Sequence, residues 1–232
     1  MYPSDIILKV NGLSKHVPSP EGDLTILDNV DMEVRRSESL AIVGASGAGK
    51  STLLGLLAGL DVPSSGTVML NDSELTALDE DGRAALRARN VGFVFQSFHL
   101  VPSLTAMENV MLPLELSGHN NPRPAALSAL EMVKLDHRVS HYPHQLSGGE
   151  KQRVAIARAF VVQPAVLFAD EPTGNLDQRT GDTVADLLFR INKESGTTLI
   201  LVTHDHILAE RCDRVLHMDG GRFIDPASGL AA

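Results

Sequence analysis

Between residues 6 and 43 the apolar positions fall in short blocks, IILKV, LTIL, VDMEV and LAIV. Turn-forming pieces such as PSPEGD and RRSE separate them, so each block predicts a strand. After LAIV the pattern changes abruptly: GASGAGKST leads into LLGLLAGL, which predicts strand, glycine loop and helix in that order. TVMLN predicts a further strand pair, and VGFVF a buried strand ending at Gln96. From about Ser97 to Arg158 helical patterns predominate, AALSALEMVKL among them, broken by proline-bearing joints at SGHNNPRP and HYPHQ. This stretch predicts an inserted helical subdomain. VLFAD and TLILVTH return as strands, and VADLLFRI between them places Val184, Leu187, Leu188 and Ile191 on one helical face. Strand, helix and strand in this order predict a unit of parallel sheet. VLHMDGGRFI predicts a closing hairpin about Asp219-Gly220-Gly221, and no repeat or low-complexity tract interrupts the pattern.

Composition narrows the classes. A chain of 232 residues suits one large domain, or a core domain with a smaller insertion, and is long enough to bury most of its apolar surface. Cys212 is the single cysteine, so no internal disulfide forms; its place in AERCDRVLHM predicts a small buried hydrophobe in a reducing compartment. Twenty Lys and Arg against 29 Asp and Glu leave a net charge of -9, a poor match for a nucleic-acid surface. MYPSDIILKV has neither the basic flank nor the apolar stretch of a signal peptide. No apolar run approaches the roughly 18 residues of a membrane span. The expectation is a soluble chain that works at a membrane only by docking on something that spans it.

The chemistry concentrates at a few places. Gly44-Ala45-Ser46-Gly47-Ala48-Gly49-Lys50-Ser51, followed by Thr52, fits G-x-x-x-x-G-K-[ST], with a strand before and a helix after. In such a loop the N–H groups curl around phosphate, Lys50 brings a point charge to the β- and γ-phosphates, and the Ser51 hydroxyl ligates Mg²⁺. AVLFADE delivers two adjacent carboxylates to the C-terminal edge of a strand, where parallel sheets bind ligands. Asp170 is placed to hold Mg²⁺, largely through water, and Glu171 to activate the water that attacks the γ-phosphate. Gln96 and His204 also finish strands; together they suggest sensors around a γ-phosphate, Gln96 reaching metal or attacking water and His204 donating to phosphate.

LSGGE, Leu146 to Glu150, resembles a second anion site: Ser147 and Glu150 form a capping box, and Gly148 and Gly149 let backbone N–H groups approach a ligand. An ordinary capped helix start reads the same way. His137, His141 and His144, with His204-x-His206, have spacings reminiscent of a metal site, but Pro143 interrupts the helix needed to align the first three and no cysteine joins them. A zinc site is not expected there.

GASGAGKS, Gln96, LSGGE, VLFADE, GNLD and His204 stand in the order found in ATP-binding-cassette (ABC) ATPases, and the chain resembles that family over nearly its whole length. LRARNVGFVFQSFHLVPSLTAMENV and FADEPTGNLD are similar to the branch holding the lipoprotein-release (LolD), macrolide-efflux (MacB) and FtsE-type ATPases, with YbbA-like proteins among them. The resemblance implies an α/β P-loop NTPase fold with a RecA-like parallel-sheet core, an N-terminal antiparallel β-subdomain and an inserted α-helical subdomain. It implies one ABC ATPase domain over 1–232, with the core and β-subdomain at about 1–96 and 159–232 and the helical signature subdomain at about 97–158. Also implied are ATP and Mg²⁺, ATP hydrolysis, and a head-to-tail dimer with a second copy. In that dimer Leu146–Glu150 acts in trans on the nucleotide of the other chain's loop, and Asp177 of GNLD lies across the seam. The partner implied is an integral membrane permease of FtsX/MacB-like type, met on the cytoplasmic face of the inner membrane through the segment FHLVPSLTAMENV, whose apolar residues could equally be core. One departure concerns adenine: the family's stacking aromatic aligns with Val17, preceded by His16, and neither offers that ring.

Two other readings compete. A soluble ABC protein acting on DNA or ribosomes usually carries a coiled-coil insertion, a second cassette or a basic surface, none of which is present. A small-molecule P-loop kinase shares the phosphate loop but has no use for LSGGE.

Overall fold

The computed structural model describes residues 5–20 and 22–225. Residues 1–4 of MYPSDIILKV, Glu21 of PSPEGD and residues 226–232 of the expected domain lie outside the described residues. Along the chain the elements are β1 (Ile6–Ser19), β2 (Gly22–Arg35), β3 (Ser39–Val43), α1 (Lys50–Leu57), β4 (Ser65–Leu70), β5 (Ser73–Glu74), α2 (Glu80–Asn90) and β6 (Val91–Val94). There follow α3 (Ala106–Leu116), α4 (Arg123–Met132), α5 (Gly148–Phe160), β7 (Val166–Asp170), α6 (Gln178–Ser195), β8 (Thr198–Val202), α7 (His206–Ala209), β9 (Arg214–Asp219) and β10 (Arg222–Ile224). They fall into two compact units: one takes the described residues up to Arg87 together with those from Ile200 onward, the other is Ala88–Leu199.

In the first unit β2, β1, β4 and β5 form an antiparallel sheet in that order. LTIL and VDMEV, expected as separate strands, lie in the single strand β2. Asn29 between them adopts a left-handed φ of 51°, and the β1 register shifts on either side of its partner residues, so the extra residue bends the strand without ending it. The expected hairpin at Asp219-Gly220-Gly221 forms between β9 and β10, with Asp219 paired to Arg222. β9 also pairs in parallel with β3, which is buried at every position. Cys212 is half-buried against the cluster of Ala41, Val43 and Ala209, as a small hydrophobe would be; burial, then the neighbouring Asp213 carboxylate, pushes its thiol up to about 12.

In the second unit β6 and β7 pair in parallel from Val91 and Val166 to Val94 and Ala169. Between Gln96 and β7 the described elements are all helical. α6 buries the expected face of Val184, Leu187, Leu188 and Ile191, and after Gly196 the N–H of Thr198 donates to Ala165 O, returning the chain beside the start of β7. FHLVPSLTAMENV divides: Ala106, Met107 and Val110 are core, while Phe98, Leu100, Val101 and Leu104 are half-buried. α3 starts with a second capping box, Thr105 with Glu108, and buried Asn109 ties down the preceding turn by accepting from Val101 N–H and donating to the carbonyls of Val101, Leu104 and Thr105.

Candidate functional site

In the first unit the glycine loop runs from the end of β3 into α1. α1 begins at Lys50, inside the motif, with Gly49 as its left-handed N-cap at φ 97°. A Cβ on Gly44 would stand 2.1 Å from the Met218 carbonyl oxygen, and one on Gly49 2.8 Å from that of Ile26. Only glycine therefore lets the loop close against β9 and β2. Lys50 is 9% exposed, and its ammonium donates to the carbonyls of Gly44 and Ala45 at 2.8 Å each. A cation drawn into the curl of a loop at a helix N-terminus is the donor set that phosphate oxygens require. β8 ends at Val202, and the N–H of buried Thr203 donates to Ile42 O at 3.3 Å. Exposed His204 thus emerges one residue beyond the point where β8 passes β3, next to the strand that feeds the loop.

His16 is tied into its own sheet: its ring Nδ1 bonds the Thr25 hydroxyl at 3.0 Å and its N–H donates to Ser64 Oγ at 2.9 Å. Val17 pairs across the ladder with Leu24, which is 53% exposed. Leu24 could not be singled out from sequence, because only the strand register makes it a neighbour of Val17.

In the second unit both expected strand-end residues lie past their strands. β6 stops at Val94, so Gln96 sits in a turn two residues on; β7 stops at Asp170, and Glu171 follows with a left-handed φ of 45°. Left-handed backbone is costly for a residue with a side chain and is found where surrounding structure imposes it. These two turns are clasped together. Asn175 Nδ2 donates to Gln96 O at 3.0 Å, Gln96 Nε2 reaches Asn175 Oδ1 at 3.5 Å, and a Cβ on Gly174 would meet Gln96 Nε2 at 2.9 Å. Asp177 of GNLD caps α6, its carboxylate accepting from Thr180 N–H at 3.1 Å; these hydrogen bonds hold it below its ordinary pKa.

LSGGE forms the capping box expected of it. Ser147 Oγ accepts from Glu150 N–H at 3.3 Å, while Glu150 Oε2 accepts from Ser147 N–H at 2.8 Å and from its hydroxyl at 2.9 Å. Glu150 Oε1 accepts from Arg138 Nε at 3.0 Å. Ser147 is exposed, so the α5 N-terminus is open to solvent in the chain. Gly149 has a second reason to be glycine: a Cβ there would stand 2.2 Å from Thr180 Cγ2 of α6.

Two α5 residues that pattern reading did not single out grip the Gln96 region from within. Arg158 donates to His99 O at 2.6 Å and Phe98 O at 3.0 Å, and both of those residues are left-handed, at φ 48° and 62°. Burial lowers the Arg158 pKa. Gln152 is the other, and its bonds are taken up below.

The order of these features matches one family along most of the sequence: the ABC transporter family model matches residues 27–174. The chain belongs to the ABC transporter family. It is an ATP-binding subunit of the ABC type and an ATPase. It is 55% identical to the ABC transporter ATP-binding protein YbbA of Escherichia coli K12 over 227 residues, covering 97% of this chain and 100% of that one. With the lipoprotein-releasing system ATP-binding protein LolD of Bordetella pertussis it shares 49% over 218 residues, 93% and 94% of the two chains. Among solved structures, the dimeric post-hydrolysis state of the ATP-binding cassette MJ0796 bound to ADP and Pi superposes with a TM-score of 0.87 at 38% identity, covering 94% of this chain and 97% of that chain. The fold class is thus that of the ABC ATPases.

The donor types suit Mg²⁺. Each of Ser51, Gln96 and Asp170 carries a hard oxygen donor of the kind that ion takes. Among the described residues no group of three or more His, Cys, Asp or Glu side chains is clustered to hold a metal ion.

Proposed function

We propose that this chain binds ATP with Mg²⁺, hydrolyses it as one half of a head-to-tail dimer, and drives an integral membrane permease of the FtsX/MacB-like type from the cytoplasmic face of the inner membrane. The observation that carries the dimer reading is the capped, solvent-open N-terminus of α5 at Ser147, an anion-binding feature in a chain that already owns a phosphate loop. The dimeric MJ0796 cassette supports it. YbbA is named an ABC transporter ATP-binding protein and LolD the ATP-binding protein of a lipoprotein-releasing system, which supports a membrane partner for this chain. No helix among the described residues is long and apolar enough to cross a membrane.

The residues divide the work as follows. The N–H groups of Gly44–Thr52 and the Lys50 ammonium bind the β- and γ-phosphates. Ser51, Gln96 and Asp170 hold Mg²⁺, which when bound supplies positive charge against the phosphoryl oxygens. Glu171 takes the proton of the attacking water on its carboxylate, and the His204 imidazole donates to the γ-phosphate. Leu146–Glu150 presents the α5 N-terminus to the partner's γ-phosphate, Asp177 lies at the dimer seam, and residues from about 97 to 158 serve as the helical signature subdomain, whose segment FHLVPSLTAMENV meets the permease. His16 and Val17 lie on the adenine side.

Glu171→Gln tests the catalytic part. It is expected to keep ATP and Mg²⁺ binding, lower turnover by roughly 10² or more, and accumulate an ATP-bound dimer. Near-normal turnover in that variant removes Glu171 from the role of base.

A further inference from the structure

Gln152 is 0% exposed and none of the roles above uses it. It lies on α5, five residues beyond Ser147 and so about one and a half helical turns along. Its Nε2 donates to Pro172 O at 2.7 Å and to Phe95 O at 3.4 Å. Phe95 is the residue before Gln96, and Pro172 the residue after Glu171. Two carbonyl acceptors fix the amide orientation, since only the NH₂ end can serve both. Oε1 is therefore turned away and, among the described residues, has no hydrogen-bond partner.

A buried glutamine that leaves its own acceptor unmet while serving two carbonyls calls for an explanation. The two carbonyls supply one. They belong to the turn that carries Gln96 and the turn that carries Glu171, the latter in strained left-handed backbone. The exposed clasp between Asn175 and Gln96 ties the same two turns from the solvent side. Gln152 ties them from inside.

We propose that Gln152 is a positioning residue that sets the Gln96 turn and the Glu171 turn in register with each other within its own chain. The proposal rests on the catalytic roles given above to Gln96 and Glu171. A merely structural glutamine would influence stability and the α5 N-terminus; a positioning one acts on the hydrolysis carried out by its own chain's turns.

Gln152→Met keeps length and volume and removes the donor. In the homodimer, turnover is expected to fall by about tenfold or more, because small misplacements of catalytic groups are costly, while binding of a fluorescent ATP analogue stays within about threefold. Added to Glu171→Gln, the same change is expected to lower the residual turnover by less than about twofold, since the group it positions is already disabled. Mixed dimers locate the effect. Paired with a Lys50→Ala chain, the Gln152→Met chain holds the one intact phosphate loop, and turnover should drop. With both changes in one chain and a wild-type partner, turnover should match that of Lys50→Ala against wild type. Equal loss in the two arrangements, full additivity with Glu171→Gln, or unchanged turnover per folded dimer overturns the proposal. If Gln152→Met does not fold, Gln152→Asn, whose amide stops one methylene short, is judged by the same criteria. If Glu171→Gln alone keeps its turnover, the catalytic reading has failed and this inference falls with it; if it loses turnover and Gln152→Met does not, only this inference falls.

Discussion

Val17 and Leu24 face each other across the β1–β2 ladder, and two residues after Leu24 the strand lies against Gly49 of the phosphate loop. In the proposed place beside adenine, an aliphatic pair would give a base apolar contact but no ring to stack on. Discrimination between ATP and GTP is therefore expected to be weak, and Val17→Tyr to tighten ATP binding by about 1 kcal/mol, the usual scale of an aromatic contact. Titration of both nucleotides against both proteins decides it: a strong native preference for ATP that the substitution leaves unchanged means another residue reads the base. At this scale the sequence was legible wherever a motif carries its own spacing. The strand, glycine loop and helix around Lys50 and the Ser147–Glu150 capping box have the geometry read from the sequence. Gln152 and Arg158 were not legible, because each acts on carbonyls of other elements, Gln152 on those of Phe95 and Pro172 and Arg158 on those of Phe98 and His99, and backbone carbonyls leave no mark on a residue pattern.

The N-terminus of α5 makes the same point for an element. Burial alone pushes the Glu150 carboxyl up, but hydrogen bonds from the Ser147 N–H and hydroxyl, with the charge and hydrogen bond of Arg138, outweigh it, and the group ends below its ordinary value. The ionised form is thus favoured by folding. Its contribution is present above the unfolded carboxylate range, near pH 4.3, and is lost as pH falls through the lowered folded value. Glu150→Gln keeps the acceptor oxygen of the box without the charge, so the stability difference between wild type and this variant is expected to shrink on acidification below about pH 4. Thermal unfolding against pH measures it, and a difference that does not change with pH shows that the charge does not hold the cap. Element boundaries were less legible than elements. β2 read as two strands because Asn29 looks like a break where it is a bend, and the Thr105–Glu108 box, with the same spacing as Ser147–Glu150, went unread inside a stretch dominated by apolar residues.

For the whole molecule, the decisive expectation is that each nucleotide draws on two chains. Lys50→Ala damages a chain's own loop, and Ser147→Arg the surface offered to the other chain. Either homodimer has two damaged sites, whereas a mixed dimer with shared sites gathers both lesions in one and leaves the other intact. Recovery of ATP binding and dimer closure in purified, tagged heterodimers is the expected result; no recovery means Ser147 serves its own chain. The fold class was legible because strand, loop and helix follow one another at the phosphate loop, while the clasp between the turns of Gln96 and Glu171 joins Gln96 to Asn175, 79 residues apart, and leaves no local pattern. The fork of Arg158 across Phe98 O and His99 O bears on how a permease would be received. Two consecutive left-handed residues left to themselves would sample many shapes, and a partner docking after Gln96 would have to freeze them. Held by the guanidinium, they present a finished contour, so the entropy of ordering that surface is lost when the chain folds and not again when the permease binds.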